Sequence, residues 1–432
     1  MNTLLSVSIA LLAGLLMTRL FKPLKLPSVT AYLIAGVLIG PFCLGALGIH
    51  GLGFNSSADL ETLALISEVA LGFIAFSIGN EFRLEDLKKT GKQALIIGIF
   101  QALVATLFVD LALLGVYLIM PDKLTAAQAI TLGAIATATA PAATLMVVRQ
   151  FKAHGPLTKL LLPIVALDDA IGLIVFAVSF GIAKTMVSGQ MDLISIIINP
   201  LIEITLSLVL GALMGWVLTQ LEKLFNSNTN RLNLTIGVVF LTASLSMLEF
   251  HIGAVHISFS SLLTCMMLGT VFCNICSLSH DLMAASDKWT SPLFAIFFVI
   301  SGAELELSVF ADWAIVVIGI VYIIFRSLGK YLGTLGSAKA TKCSPEICKY
   351  LGITLLPQAG VALGMCTIAA AQCPEQGGLI RNITLFAVLI YELFGPMFTK
   401  MALTAAGEIK PMSDEVKQRR QTKLEAAKDM KK

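Results

Sequence analysis

Apolar runs, separated by short polar segments, follow one another from the first residues of the chain to about residue 405. A transmembrane helix needs about 20 mostly apolar residues, so runs of about 17 to 25 residues predict membrane-spanning helices. The first run lacks a basic leading segment and a small-residue cleavage site, so we expect a helix there rather than a signal peptide. The pattern predicts thirteen spans, at about residues 2–20, 27–46, 60–80, 93–120, 125–148, 160–183, 192–220, 232–250, 255–277, 290–307, 311–337, 347–371 and 382–405.

The composition is that of a membrane protein. Hydrophobic residues make up 57% and charged residues 13% of the 432 residues, and the mean hydropathy is +0.88. These values exclude an ordinary soluble domain and predict an all-α polytopic membrane protein whose main partner is the lipid bilayer. The one long hydrophilic stretch is a basic tail at residues 406–432. We therefore expect neither an appended soluble domain nor a nucleic-acid partner.

Positive charges indicate how the predicted spans are oriented. Sixteen Lys and Arg residues lie in loops after odd-numbered spans, nine lie between Lys400 and Lys432, and three lie in loops after even-numbered spans. Because Lys and Arg are enriched in cytoplasmic loops, the odd-numbered spans are expected to end in the cytoplasm. This places the N-terminus outside and the C-terminus inside.

Two adjacent carboxylates, Asp168 and Asp169, lie in the middle of the sixth span, LLPIVALDDAIGLIVFAVSF. An ionised side chain at bilayer depth costs at least about 3 kcal/mol on insertion scales, so both carboxylates are expected to have partners. Consecutive helical residues point about 100° apart, and the two partners should therefore differ. We expect a Lys or Arg for one carboxylate and a transported cation or proton for the other.

The two remaining basic residues, Arg326 and Lys330, lie well inside the eleventh predicted span. They are four residues apart and share one helical face, so both are candidate partners for the aspartates. The alternative is that they snorkel to the cytoplasmic interface near the end of the helix. Glu392, near the centre of the thirteenth span, also needs a partner at that depth. An ion pair, for example with Arg326, and a role in a proton pathway both remain open for it.

Two further spans contain a proline near their centre. The fifth, TLGAIATATAPAATLMVV, carries Thr137, Thr139 and Pro141, and the twelfth, KYLGITLLPQAGVALGMCTIAA, carries Pro357 and Gln358. Proline removes a backbone donor and clashes with the preceding turn, so both helices are expected to unwind there. The threonines, the glutamine and the freed carbonyls can then coordinate a cation, or form the hydrogen bonds that the unpaired backbone groups of the interruption need. A simple proline kink packed by neighbouring helices is the alternative.

The two proline-containing spans are seven apart in order, so they cross the membrane in opposite directions, as an inverted-topology repeat requires. The same offset pairs the fourth span with the eleventh and the sixth with the thirteenth. We expect residues 1–190 to form a six-helix repeat that carries the aspartates, 191–225 a linker helix, and 230–405 a second repeat that carries Lys330. Broken helices that cross at the midplane are typical of alternating-access transporters.

Six segments of the chain match the motifs of a known group of membrane transporters. They are LPSVTAYLIAGVLIGP, in which Ala31 replaces a glycine, EVALGFIAFSIGNEF, TATAPAAT, LDDAIG, FRSLGKYLG and YELFGP. Through these segments the chain resembles the bacterial cation:proton antiporter-2 family, which includes sodium/proton antiporters and glutathione-gated potassium efflux systems. The resemblance covers nearly all thirteen spans, and its specific part is the aspartate pair with the downstream lysine.

The resemblance implies a role for each residue of the candidate site. Asp169 would bind the monovalent cation or proton, Asp168 would pair with Lys330, and Thr137 and Thr139 would lie beside the ion. Helices 5, 6, 12 and 13 would form a moving core domain, and the first helices of each repeat a dimerising scaffold. The core would slide against the scaffold like an elevator, in a homodimer of the bacterial inner membrane.

One departure from the family pattern concerns ion selectivity. Several sodium exchangers carry an acidic residue in the twelfth-span break, where this chain has PQAGVALG. We expect Na⁺ as the transported cation, with K⁺ or Li⁺ as alternatives, and no cofactor besides the transported ions and H⁺. The potassium efflux members carry a large cytosolic nucleotide-binding domain, which is not expected in this chain.

The leading interpretation is a secondary cation/proton antiporter rather than an enzyme. A sodium-coupled organic-anion symporter on a similar fold would need cationic or hydroxyl-rich contacts at the crossing, where the sequence offers one lysine and two carboxylates. A K⁺/H⁺ efflux transporter is a further alternative. An intramembrane aspartyl protease needs carboxylates on two facing helices, and neighbours on one helix cannot form that dyad.

Overall fold

The computed structural model describes residues 3–24, 26–49, 52–56, 60, 63–80, 82–188, 199–248, 250–252, 255–305 and 312–409. Within these residues the chain forms fifteen α-helices, two short 3₁₀ helices and one two-stranded hairpin. The α-helices are α1 Thr3–Phe21, α2 Ser28–Ile39, α3 Ala64–Gly79, α4 Leu84–Ile119, α5 Ala126–Ile135, α6 Pro141–Phe151, α7 Pro156–Ser188, α8 Asn199–Glu222, α9 Asn228–Ser246, α10 Ser261–Ile275, α11 Ser279–Ala303, α12 Trp313–Ala340, α13 Pro345–Thr354, α14 Gly360–Gln372 and α15 Pro374–Ala405. The 3₁₀ helices are Lys22–Leu24 and Leu44–Leu47, and the strands are β1 Phe250–Ile252 and β2 Val255–Ile257.

The protein is a multi-pass membrane protein. Among the described helical segments, seven are long and apolar enough to cross a membrane: Thr3–Leu24, Ser28–Leu47, Gly91–Ile119, Pro156–Val187, Leu201–Glu222, Trp313–Ala340 and Gln376–Ala405. Shorter apolar helices lie between them. Each predicted span overlaps one α-helix, except that the fifth overlaps α5 and α6 and the twelfth overlaps α13 and α14. The count of thirteen crossings stays a prediction. The predicted repeat boundary at residues 190 and 191 and the tail after residue 409 lie outside the described residues.

The described residues are almost entirely helical, as predicted, and include one short hairpin that the sequence pattern does not predict. The hydrophobic pattern predicts that the eighth span reaches residue 250 and that the ninth begins at 255. In the structure, α9 ends at Ser246 and α10 begins at Ser261. The strands between them pair antiparallel, with His251 opposite His256. Aromatic and β-branched residues alternate with histidines in both strands, a pattern that favours extended backbone. Ser260 then accepts a hydrogen bond from the Leu263 N–H and fixes the start of α10.

Glycines allow two helix pairs to pack backbone against backbone. A Cβ at Gly36 of α2 would lie 2.0 Å from the Val299 carbonyl oxygen of α11, and a Cβ at Gly302 would lie 2.2 Å from the Leu33 oxygen. The same relation joins α3 to α10, where a Cβ at Gly79 would lie 1.9 Å from the Met266 oxygen. Small residues at such crossings let helix backbones approach within a bilayer, where the hydrophobic effect does not drive association.

Glycines also bring α12 close to α4. A Cβ at Gly329 would lie 2.6 Å from the Ala105 Cα, and one at Gly333 would lie 2.9 Å from the Gln101 Cα. Lys330 follows the first of these glycines. The close contact therefore places Lys330 of α12 and Gln101 of α4 at a similar height along the two packed helices.

The end of α15 packs against the start of α7. Beyond α15, Gly407 turns the chain with a φ of +76°, and the Glu408 carboxylate accepts hydrogen bonds from the Leu157 N–H at 2.5 Å and the Thr158 N–H at 2.8 Å. These N–H groups lack intrahelical partners, and a carboxylate at a helix N-terminus is favourable. The contact ties the last helix to the helix that carries both aspartates.

The glycine packing predicts a difference between two Gly→Ala variants. Gly36→Ala should lower the apparent unfolding temperature in detergent, because overpacking of a close contact typically costs about 1–3 kcal/mol. Gly237→Ala, also within a helix, meets no neighbouring atom within 4 Å and should leave the temperature unchanged or slightly higher. Thermal-shift fluorescence on purified protein checks this. Equal unfolding temperatures for the two variants would contradict the packing described.

Candidate functional site

Two interrupted helices meet at the centre of the molecule. α5 ends at Ile135 and α6 begins at Pro141, while α13 ends at Thr354 and α14 begins at Gly360. The Ala140 N–H donates to the Pro357 carbonyl oxygen at 2.8 Å, so one interruption is hydrogen-bonded directly to the other. Non-helical backbone at this depth is stable only where protein groups or water satisfy its polar atoms.

Arg326 satisfies carbonyl groups from both interruptions. Its guanidinium donates to the oxygens of Ala136 at 3.0 Å, Ala138 at 2.5 Å and Leu356 at 2.8 Å. The side chain is fully buried, and its Cζ lies 4.4 Å from the centroid of the Tyr391 ring. The planar fork of five N–H donors suits several carbonyls in fixed directions. Arg326 therefore links the two breaks to α12.

This geometry corrects the expectations for Arg326. The residue does not snorkel to the cytoplasmic interface, since none of its side chain is exposed. Its hydrogen bonds go to carbonyl groups rather than to an aspartate or to Glu392. The Glu392 side chain is buried, and its Oε2 has no hydrogen-bond partner among the described residues. The prediction of an ion pair between Arg326 and Glu392 is thus not supported, and a role for Glu392 stays a prediction.

Gln358 also stabilises the crossing. Its amide nitrogen donates to the Ile135 carbonyl oxygen at 2.9 Å, at the end of α5, and lies 2.9 Å from the Tyr322 hydroxyl of α12. The sequence leaves two roles open for Gln358, which are to coordinate a cation or to pair with polar groups at the helix interruption. These contacts correspond to the second role. Pro357 contributes differently, since its carbonyl oxygen accepts a hydrogen bond from the Ala140 N–H. Pro357 also packs closely against Gly395 of α15, where an added Cβ would lie 3.0 Å from the proline Cα and Cγ.

Asp168 lies in a closed polar cluster. Its Oδ2 accepts a hydrogen bond from Lys330 Nζ at 2.8 Å and another from the Thr139 hydroxyl, while its Oδ1 accepts from Gln101 Nε2 at 2.5 Å. Lys330 Nζ also donates to the Thr137 carbonyl oxygen at 2.5 Å and to Thr139 Oγ1 at 2.9 Å. Asp168 and Lys330 are both fully buried. All three donors of the ammonium group are thus directed at oxygen atoms.

Gln101 was not among the residues singled out from the sequence. It lies in the apolar run IIGIFQALVATLF of α4, and an amide in such a run is the signal that could have identified it. Asp110, two to three turns further along the same helix, was also overlooked. Its Oδ1 has no hydrogen-bond partner among the described residues, and a Cβ at Gly133 would lie 1.8 Å from that atom.

Asp169 is buried without a described donor. Its side chain is 3% exposed, and neither carboxylate oxygen has a hydrogen-bond partner among the described residues. One turn further along α7, a Cβ at Gly172 would lie 3.0 Å from Thr137 Oγ1, so this hydroxyl lies beside the face that carries Asp169. The Thr137 hydroxyl donates to the Ala134 oxygen at 2.7 Å, which leaves its own oxygen available as an acceptor or ligand.

The two carboxylates therefore have different chemistry. Asp168 is compensated by a cation and hydrogen bonds, whereas a buried carboxylate without donors is costly unless a proton or a cation neutralises it. Carboxylate, hydroxyl and carbonyl oxygens are ligands suited to a hard monovalent cation. No group of three or more His, Cys, Asp or Glu side chains suited to a metal ion occurs in the part of the chain that was described.

Comparison with known proteins assigns the chain to a family. The sequence profile described as "Sodium/hydrogen exchanger, transmembrane" matches residues 7–404. The High-affinity Na(+)/H(+) antiporter NhaS3 of Synechocystis is 24% identical over 406 residues, covering 86% of this chain and 83% of that protein. The Cation/H(+) antiporter 19 of Arabidopsis thaliana is 36% identical over 84 residues, which cover 19% of this chain but only 10% of that longer protein.

A solved structure supports the same fold. The sodium proton antiporter MjNhaP1 from Methanocaldococcus jannaschii superposes with a TM-score of 0.66 at 19% identity, covering 92% of this chain and 97% of the other. At that identity the similarity establishes the fold alone. The named relatives are transporters rather than enzymes. Because the family profile spans nearly the whole chain, this protein belongs to the sodium/hydrogen exchanger family of multi-pass membrane antiporters.

Proposed function

We propose that this protein is a secondary antiporter that exchanges a monovalent cation for protons by alternating access, with Na⁺ as the favoured cation. The observation that carries the proposal is the position of Asp169, buried beside a helix crossing with no described donor on either oxygen. The named relatives are antiporters for Na⁺ and H⁺ or for a cation and H⁺, which supports this class of function. K⁺ and Li⁺ remain alternative substrates.

Exchange follows from competition at one carboxylate. In a site with low dielectric constant, Asp169 is stable when it binds a proton or a cation, and one occupant excludes the other. If the core crosses the bilayer only with this site neutralised, a proton gradient drives the cation in the opposite direction. The Thr137 hydroxyl lies beside Gly172, one turn along α7 from Asp169, and is positioned to contribute an oxygen to the cation.

Asp168 and Lys330 would support this exchange without binding the cation directly. Their ion pair fixes Thr139 and the backbone of Thr137 at the crossing. A second proton transferred through this pair would make the cycle electrogenic. Because Asp168, Asp169 and Lys330 interact, their protons would be gained and lost by the group rather than by single residues. Transport current in proteoliposomes would report this stoichiometry.

The moving unit in this proposal is the crossing with α7 and α15. The Ala140–Pro357 hydrogen bond and the three Arg326 contacts link both breaks, so these elements can move as one body. The scaffold would include the pairs α2–α11 and α3–α10, which are held by glycine contacts. Motion of the elevator type, a homodimer, and a bacterial inner-membrane location with the N-terminus outside and the C-terminus in the cytoplasm are parts of the same proposal.

The first prediction concerns the ion-binding carboxylate. Asp169→Asn should reduce cation-induced dequenching of a proton-gradient dye in proteoliposomes to the level of protein-free liposomes, because the amide cannot alternate between a proton and a cation. Asp122→Asn, at an exposed position outside the apolar helices, is the matched control and should transport normally. The cation that collapses the gradient at the lowest concentration identifies the substrate.

The outcomes of this assay separate the candidate functions. Wild-type activity in Asp169→Asn would contradict the assigned role of Asp169. Folded wild-type protein that responds to neither Na⁺, K⁺ nor Li⁺ would refute cation/proton exchange. Sodium-driven uptake of an organic anion would then become the measurement for the alternative symporter.

The second prediction concerns the buried ion pair. Lys330→Gln should markedly lower the apparent unfolding temperature, because removal of one partner from a buried pair typically costs about 3–5 kcal/mol. Combining it with Asp168→Asn should recover much of the loss, since no uncompensated charge then remains. Thermal-shift fluorescence of both single variants and the double variant checks this. A double variant less stable than Lys330→Gln alone would contradict the coupling.

The third prediction concerns the link between the breaks. Arg326→Lys should lower both thermal stability and turnover, because a lysine cannot donate to three carbonyls in the directions that a guanidinium reaches. The cation concentration for half-maximal transport should change little, since Arg326 has no contact with Asp169 in the cluster described. Arg231→Lys, at a partly exposed ion pair with Glu222 at 3.8 Å, is the control. A selective loss of cation affinity would argue for direct participation of Arg326 in binding.

A further inference from the structure

A large cavity lies at the end of the molecule where the loops are predicted to face the cytoplasm. Its volume is about 810 Å³, and its walls come from α6, the start of α7, the start of α2, the segment before α4, and α11. Pockets of this size typically hold small organic ligands. The cavity extends along α7 to Leu162 and Pro163, less than two turns before Asp168.

Positive side chains line this cavity from several elements. No Asp or Glu occurs among its described lining residues. The nearby Glu408 carboxylate is already bonded to the Leu157 and Thr158 N–H groups and to the Thr158 hydroxyl. The positively charged lining residues are Arg83, Arg149, Lys152 and Lys159, and His154 also lines the cavity.

Such a lining attracts negatively charged groups. It is favourable for an anion, because Arg and Lys form charge-assisted hydrogen bonds with phosphate oxygens. Other parts of the lining are apolar or aromatic, with contributions from Tyr32, Phe82, Leu145, Leu162 and Phe294. A ligand that combines a phosphate with an apolar or aromatic body matches both parts of the cavity.

We propose that this cavity binds an organic anion that carries a phosphate group. The chemistry is common to soluble nucleotides and to the headgroups of anionic lipids, and it requires the positive charges contributed by the α6–α7 loop. Arg83, in the segment before α4, adds a positive charge to the lining from a separate element.

The site would also affect transport, and this step rests on the proposed antiporter function. The Ser28 N–H donates to Gln150 Oε1 at 2.7 Å and joins α2 to α6 beside the cavity, at the junction of the proposed scaffold and core. An anion that contacts cavity residues from both the proposed scaffold and the proposed core stabilises the conformation in which these residues surround the cavity. A ligand that favours one conformation shifts the population toward it, so bound anion should slow exchange.

Binding can be measured without transport. The purified full chain in neutral detergent would be titrated with ADP, and separately with phosphatidylglycerol in mixed micelles, while the apparent unfolding temperature is recorded. ADP is supplied as its Tris salt, and Tris chloride at matched ionic strength and phosphatidylcholine are the control compounds. We expect ADP or phosphatidylglycerol to raise the unfolding temperature more than its control compound does, and the effective compound identifies a soluble or a lipid source.

Variants test whether the cavity is responsible. Arg149→Gln combined with Lys152→Gln should weaken binding on the order of tenfold or more, since charge-assisted hydrogen bonds to the phosphate are lost. Lys159→Gln is a second, milder variant for use if the double variant does not fold. Lys223→Gln removes an exposed positive charge elsewhere and should bind as the wild type does.

The outcomes for binding and transport are separable. If ADP and phosphatidylglycerol stabilise the protein no more than Tris chloride and phosphatidylcholine do, or if wild type and both cavity variants bind equally, the site is overturned. Binding that depends on the cavity in a protein without exchange activity would support the site and refute the proposed function. Exchange that is slowed by the bound compound in wild type, but not in the Arg149→Gln/Lys152→Gln variant, would support both.

Discussion

The requirement that every polar group at bilayer depth find a partner within the protein governs the centre of this molecule. Two interrupted helices leave carbonyl groups unpaired, and Arg326 binds three of them while Gln358 binds a fourth. Lys330 then joins a freed carbonyl of one break to Asp168 on a neighbouring helix. The two positive charges are thus compensated in different ways, one by carbonyl dipoles and one by a carboxylate.

The same requirement explains why adjacent aspartates differ. Neighbours on a helix point about 100° apart, so a lysine that reaches Asp168 cannot also hold Asp169. Asp168 has three donors within hydrogen-bond reach, from Lys330, Thr139 and Gln101. Asp169 has none among the described residues. The helix geometry thereby separates a structural carboxylate from one whose charge must be balanced by a mobile ion.

Hydrophobic runs and prolines in the sequence located the helices and both interruptions, because these features act within one or two turns of the chain. Which side chains meet across helices was harder to infer, since the apolar motifs carry no distance information. Charge and the shared helical face with Lys330 make Arg326 a candidate partner for the aspartates, whereas its geometry favours the carbonyls of two distant segments. Gln101 was missed because its role depends on the contact of α4 with α12, which glycines on α12 permit. The hairpin was missed because its two strands extend the apolar runs of the helices beside them.

Different kinds of contact hold the two parts of the molecule together. Glycine crossings join α2 to α11 and α3 to α10 through close backbone packing, which is rigid and does not depend on an ion. Hydrogen bonds and a buried ion pair join the crossing helices to α7 and α12, around a carboxylate that needs a neutralising ion. Beside the basic cavity, a hydrogen bond from the Ser28 N–H to Gln150 Oε1 joins α2 of the proposed scaffold to α6 of the proposed core. A ligand that contacts both elements there changes the relative stability of two arrangements by the difference between its affinities for them. The closely packed glycine crossings, in contrast, leave no room for a ligand between the helices that they join.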